Sequence, residues 1–539
     1  MKRALIRTAF SPIIYEEFDF GTAIYDREFR LLAQARGHQL FLGTMSFCVE
    51  AAVEAAGGPS ELESGDILLY NVPYGTGSHA QDCAVVMPVF DHEQLIGYTA
   101  IKGHWLDIGA KDPYSTDTVD VFQEGTVFPG VKLYSRGEVV RDIFKIAVAN
   151  SRLPKAVAGD INAEVVGVRA GAAGLLRVVE RYGLETFLDS VERIFDHGEA
   201  VVRTYLENIP DGRYVGHGVM DSNGVDEDQI PFTVSIDVEG SNIRVDFSDS
   251  PDAQTGPTNC PIATTVSATR TALACLAGGG EEPNEGHFRP IEVVTRPGSM
   301  FHPISPTPCY LYAWPAQQAI EVILNAVAQA LPGTVPACSG GDFCALLWWG
   351  TREATGEPWG DAAGGNPVGQ GGHPRSSRAA TALHIGAAGC RLAPVEVWEA
   401  KNPWLVERLE LAADSAGPGE FEGGLGVDMV FRMLEDSWMT SVLERTKNPP
   451  WGLYGGGEAR PNSVLLRSPD GRTRTFGKVT RLRVLKGSSI ELNTGGGGGY
   501  GAPSARDPQA VHNDLRNGYI TEGYARRHYP HAFSAAPRI

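Results

Sequence analysis

The chain has 539 residues, 21% of them charged and 42% hydrophobic, and its 46 Lys plus Arg against 65 Asp plus Glu leave a formal charge of −19. That length holds roughly two to four packed units, and the composition is that of a globular rather than a disordered chain. The acidic balance opposes binding to nucleic acid or anionic lipid, no apolar run reaches the roughly 20 residues of a membrane span, and Met1-Lys2-Arg3 leads into too short an apolar patch for a signal peptide. Eight scattered cysteines without a C-x-x-C pair read as reduced thiols of a cytoplasmic protein.

In chain order, the first 120 residues alternate short β-type runs with turns, and two hairpins stand out. One pairs 20–25 with 30–34 across the turn 26–29; the other pairs 84–90 with 95–101 across 91–94. From 160 to 206 the apolar spacing is helical, with a break predicted at Gly183. A strand pair over 232–247 turns at Glu239-Gly240, and helices are predicted over 264–276 and 316–331. Beyond Gly333 glycine-rich turns separate short strands such as 408–411, and a short helix covers 508–517. The expected class is mixed α/β (α+β) in three regions: 1–158 β-rich and metal-binding, 159–335 mixed, and 336–539 glycine-rich β with a short C-terminal helix.

Two H-x-x-D units flank the second hairpin: His79 with Asp82 before its first strand, and His104 with Asp107 after its second. With the turn centred between His92 and Glu93, antiparallel pairing sets His104 opposite Gln81, beside both His79 and Asp82. A single H-x-x-D is common, but two at one end of one hairpin form a 2-His-1-carboxylate set that suits Mn²⁺, Fe²⁺ or Zn²⁺ and leaves positions open. The first hairpin brings Asp19 near Arg36 and His38, which makes Asp19 the candidate fourth ligand. The segment Gly471 to Lys478 fails as a phosphate loop, with five residues between its glycines and Val479 in place of Ser or Thr. The run Gly495 to Gly499 is expected to be a flexible turn.

The stretches "DFGTAIYDREFRLLAQA", "NVPYGTGSHAQDCAVVMPVF", "KGHWLDIGA" and "GGGGGYGAPSARDPQAVHNDLRNGYI" resemble the hydantoinase B family, which takes in N-methylhydantoinase B chains, 5-oxoprolinases, caprolactamase and the acetone carboxylase alpha chain. The resemblance implies the B-type chain of a hetero-oligomer, with ATP and Mg²⁺ on an A-type partner that phosphorylates a small-molecule amide or ketone. The family's metal ligands fall by position on His79, Asp82 and His104, with Asp19 as a fourth. Three positions depart from the family pattern: Val72 replaces an acid, Gly75 a histidine, and Trp105 a second histidine.

The function this implies is ATP-dependent opening of a cyclic amide such as a hydantoin, 5-oxoproline or a lactam, with ketone carboxylation and a non-catalytic assembly role as alternatives. In that scheme Asp107 orients an imidazole N–H and Glu124 serves as general base.

Overall fold

The computed structural model describes residues 1–277 and 282–533. The fold is mixed α/β, with several sheets and two larger cores. Among the described residues no helix is long and apolar enough to cross a membrane.

A seven-stranded sheet positions the site. Its strands are β1 (Phe20–Asp26), β2 (Leu31–Ala35), β3 (Ile67–Tyr70), β4 (Asp82–Asp91), β5 (Gln94–His104), β6 (Pro129–Ser135) and β7 (Glu138–Val139). They lie in the order β2-β1-β5-β4-β3-β6-β7, so both predicted hairpins are present and sit side by side. Side chains alternate along β4: Cys83 and Val85 enter the large core, while Ala84 and Val86 enter a second core on the opposite face.

That second face is covered by the helix Gln39–Ala55, in a stretch where the sequence pattern predicts only strands and turns. Its buried residues Phe41, Met45, Cys48, Val49, Ala52 and Val53 recur every three or four positions, the period of a helix rather than a strand. The first face is covered by the helix Pro154–Tyr182, whose stripe Val157, Ile161, Val168, Leu175 and Val179 is buried against the sheet. This helix spans the expected boundary at 158/159. It ends at Gly183, whose φ of +83° and ψ of 149° suit glycine alone, and the helix Leu184–Leu206 follows.

The strand pair Ile230–Glu239 and Asn242–Asp246 and the helices Ile262–Ala277 and Ala313–Ala328 form where the sequence places them. The large core runs through residues of the first two regions, from Leu5 to Val335, and on to Val442. A separate core lies between strands of the glycine-rich region around Trp348, Trp404, Met429 and Phe431. The predicted terminal helix runs Pro508–Arg516, capped by the Asp507 side chain on Gln509 N–H.

The run Gly495 to Gly499 is not a flexible turn. All five residues are buried. Their backbone groups bond to other loops: Gly497 N donates to Gly424 O (2.9 Å), Gly498 N to Cys338 O (2.8 Å) and Gly499 N to Gly457 O (2.9 Å). A Cβ on Gly497 would lie 1.8 Å from Gln370 O, and one on Gly371 1.7 Å from Ala337 O. Glycine is needed here because backbone packs on backbone with no space for a side chain.

Candidate metal centre

Asp82 opens β4 and His104 closes β5, and the two face each other in the ladder. A regular hairpin would pair His104 with Gln81. A bulge between Val89 and Phe90 shifts the register by one residue, so Asp82 itself becomes the partner. On the other side of β5, Phe20 of β1 pairs with Gly103, and His104 N donates to Asp19 O at 3.2 Å. Three adjacent strand ends therefore carry Asp19, His104 and Asp82 in a row.

His79 enters from the loop before β4. Its Nδ1 lies 3.0 Å from the Tyr310 carbonyl oxygen, which can only accept, so the proton sits on Nδ1 and Nε2 is left as a bare donor atom. That Nε2 is 3.0 Å from Asp82 Oδ1 and 3.1 Å from His104 Nδ1, and His104 Nδ1 is 3.0 Å from the same Asp82 oxygen. All three residues are buried. Tyr312 donates its hydroxyl to Asp82 Oδ2 at 2.8 Å, which orients the carboxylate. Burial by itself would raise the Asp82 carboxyl, but His79 and His104 outweigh it and hold the group well below the usual carboxylate range.

Asp19 faces the same cavity, yet its oxygen groups with His38 and Cys390 rather than with the three donors. Its Oδ1 is 4.0 Å from His38 Nε2. Burial pushes Asp19 up to about 7 and His38 down to about 3. The cavity has a volume of about 70 Å³ and apolar walls that include Ile13, Phe41, Trp314, Phe343 and Leu347.

Asp107 does not meet an imidazole. Its buried carboxylate accepts from Arg152 Nη1 at 2.5 Å, from the Arg152 backbone N–H and from Gly109 N at 3.3 Å, while the Tyr310 carbonyl takes the imidazole proton that Asp107 was expected to hold. Glu124 lies outside the cavity lining. Its Oε1 accepts from Cys309 N and Tyr310 N, both at 2.8 Å, and from Thr118 Oγ1 at 3.0 Å. It thus secures the strap that carries Tyr310 and Tyr312. Neither tyrosine is picked out by the sequence motifs; the alternating aromatics Tyr310, Tyr312 and Trp314 just before a helix were the available signal.

The three departures have structural reasons. Trp105 is fully buried and donates Nε1 to Glu164 Oε1 at 3.0 Å, away from the donors. A Cβ on Gly75 would lie 2.0 Å from Tyr70 Oη, so no histidine fits there. Val72 packs on the core beneath the helix Gln39–Ala55. None of the three lines the cavity.

Residues 1–503 match the family model described as Hydantoinase B/oxoprolinase, and the chain belongs to that family. Among its relatives, the B chain of a putative D-/L-hydantoinase from Pseudomonas sp. (strain NS671) is 30% identical over 98% of this chain and 92% of that protein. The beta chain of the caprolactamase from Pseudomonas jessenii is 26% identical over 98% and 92%. The crystal structure of the ATP-dependent caprolactamase from that organism superposes with a TM-score of 0.90 at 24% identity, covering 98% of this chain and 92% of that one. A nucleotide-free acetone carboxylase structure gives 0.89 at 19% identity, with 98% and 77% covered. At these identities the two structures establish the fold.

Proposed function

We propose that the chain is the metal-holding, B-type component of an ATP-dependent enzyme that opens cyclic amides. The observation that carries this is the convergence of His79 Nε2, His104 Nδ1 and Asp82 Oδ1, 3.0 to 3.1 Å apart, at the wall of a small cavity. The donor set of two imidazole nitrogens and a carboxylate oxygen suits Mn²⁺, Fe²⁺ or Zn²⁺, with Asp19 on the neighbouring strand end as the candidate fourth ligand.

When bound, such an ion supplies Lewis acidity that makes hydroxide available near neutral pH. The chain's own residues do the rest. Tyr310 and Tyr312 fix the tautomer of His79 and the orientation of Asp82. The buried, apolar walls limit water beside the reacting group and strengthen the local electrostatics. The cavity holds several waters' worth of space, since by this measure one water needs roughly 10–15 Å³, and it is sized for a small ring such as a lactam or hydantoin. An unactivated amide resists hydrolysis, so in this reading an A-type, ATP-binding partner phosphorylates it first; relatives named as the B or beta component of their enzymes support the presence of a partner chain.

The test is reconstitution with the A-type chain, scoring ADP release and ring opening over a panel of lactams and hydantoins alongside metal analysis. Turnover that depends on bicarbonate and a ketone replaces hydrolysis with carboxylation. A complex that works equally well with His79→Ala and holds no metal leaves this chain an assembly role only.

A further inference from the structure

The cavity has one strongly exposed wall residue, Arg391, at its mouth. The segment carrying it is tied down from far along the chain: Arg391 N donates to Glu17 O at 2.8 Å and Cys390 Sγ to Phe18 O at 3.6 Å. The Arg391 guanidinium lies 4.5 Å from the centroid of the Phe18 ring, and Lys2 Nζ lies 4.8 Å from the same centroid. Two cations thus share one aromatic ring.

Like charges repel, and on a chain with a formal charge of −19 there is no general shortage of acids to separate them. Among the described residues, however, neither Arg391 nor Lys2 forms an ion pair; Lys2 Nζ donates to the Arg36 carbonyl oxygen at 2.5 Å. Arg36, the third cation nearby, is taken by Glu282 at 3.3 Å. Burial, and after it the Arg391 charge, lowers the Lys2 ammonium, as expected of a cation held beside another. Phe18 itself has a φ of +61°, an uncommon conformation for a residue with a side chain.

We propose that Arg391 at the mouth of the metal cavity, with Lys2 beside it on the same Phe18 ring, forms an oxyanion-binding subsite that takes a phosphoryl or carboxylate group carried by the substrate. The planar fork of Arg391 suits two oxygens of such a group and the Lys2 ammonium a third contact. The identity of the molecule carrying the anion rests on the amide-hydrolase reading; the subsite itself does not.

The experiment is titration calorimetry on the full chain stripped of metal with a chelator, using inorganic phosphate and acetate as separate probes. Wild type is expected to bind at least one probe, with affinity falling about tenfold in Arg391→Gln and further in the Lys2→Gln/Arg391→Gln double variant. Preference for phosphate assigns the subsite to a phosphorylated substrate, and preference for acetate to a substrate carboxylate. Binding of neither probe, or equal binding by wild type and the double variant, overturns the proposal. Metal content after reloading is measured in parallel. A chain that reloads metal but shows no variant-sensitive anion binding refutes the subsite alone, and one that binds anions but no metal refutes the hydrolase reading alone.

Discussion

Asp82 stands directly opposite His104, and it does so because a bulge at Val89/Phe90 adds one residue to the β5 side of the ladder. Were the same residues paired without the bulge, His104 would face Gln81, and a shift of one place exchanges the two faces of the sheet. Deleting Ile96, the residue the bulge accommodates, is therefore expected to give a regular ladder that keeps Asp82 opposite His104 and retains metal binding, whereas inserting one residue after Gly97 moves His104 opposite Gln81 and abolishes it. Metal content measured with a circular dichroism spectrum on both variants checks the two outcomes.

His79→Ala and His104→Ala each remove one of three donors whose positions are set by backbone. Each is expected to lower metal affinity by more than about 100-fold, since even partners of ligands are worth about 10- to 100-fold. Elemental analysis after equilibrium dialysis checks this, and an unchanged metal content would leave the cluster without a role.

Tyr312→Phe keeps the ring but removes the hydroxyl that donates to Asp82 Oδ2. About 10- to 100-fold weaker metal binding is expected, with little change in melting temperature. Asp107→Asn and Arg152→Ala should behave in the opposite way. Metal binding stays, while Arg152→Ala leaves a buried carboxylate short of its partner and costs about 1–3 kcal/mol, moderated because Arg152 is 41% exposed. Denaturant melts and dialysis on the same samples distinguish the two roles.

Burial pushes the Glu124 carboxyl up to about 8, so the folded chain holds this proton more tightly than the unfolded one. The stability that proton contributes is complete below the unfolded value, about 4.3, and is lost as pH rises through about 8. Glu124→Gln keeps an acceptor for Cys309 N and Tyr310 N without the ionisation. Relative to wild type the variant is expected to gain stability between pH 5 and 9, by a few kcal/mol at most. Thermal melts across that range test it, and a constant difference would show that Glu124 does not titrate there.

Gly497→Ala forces a Cβ to within 1.8 Å of a backbone oxygen that has no room to retreat. A loss on the order of 4 kcal/mol or more, seen as insoluble or unfolded protein, is expected. Gly174→Ala is the control: a Cβ there meets nothing closer than the flexible end of Arg177 at 3.8 Å. Within the helix Pro154–Tyr182 it should stabilise by about 1 kcal/mol.

What the sequence by itself determined is what neighbours along the chain can settle. His79, Asp82 and His104 lie at most 25 residues apart, so a hairpin turn and period-two pairing bring them to one end of one hairpin, and the bulge at Val89/Phe90 then sets Asp82 opposite His104. The breaks at Gly183 and Glu239-Gly240 and the buried stripes of the helices are local in the same sense. The helix Gln39–Ala55 belongs there too, because its period is visible in the residues themselves although strand-like neighbours on both sides obscure it.

Only the tertiary structure decided the rest. Tyr312 reaches Asp82 across 230 residues, and Arg152 claims Asp107 across 45. Arg391 arrives at the cavity mouth on a segment fastened to Glu17 and Phe18, and the glycines at 495–499 are required by loops that approach from elsewhere in the chain. The physical reason is that periodicity and turn chemistry encode which face a residue takes, whereas the partner it meets on that face is chosen by close packing of elements distant in sequence.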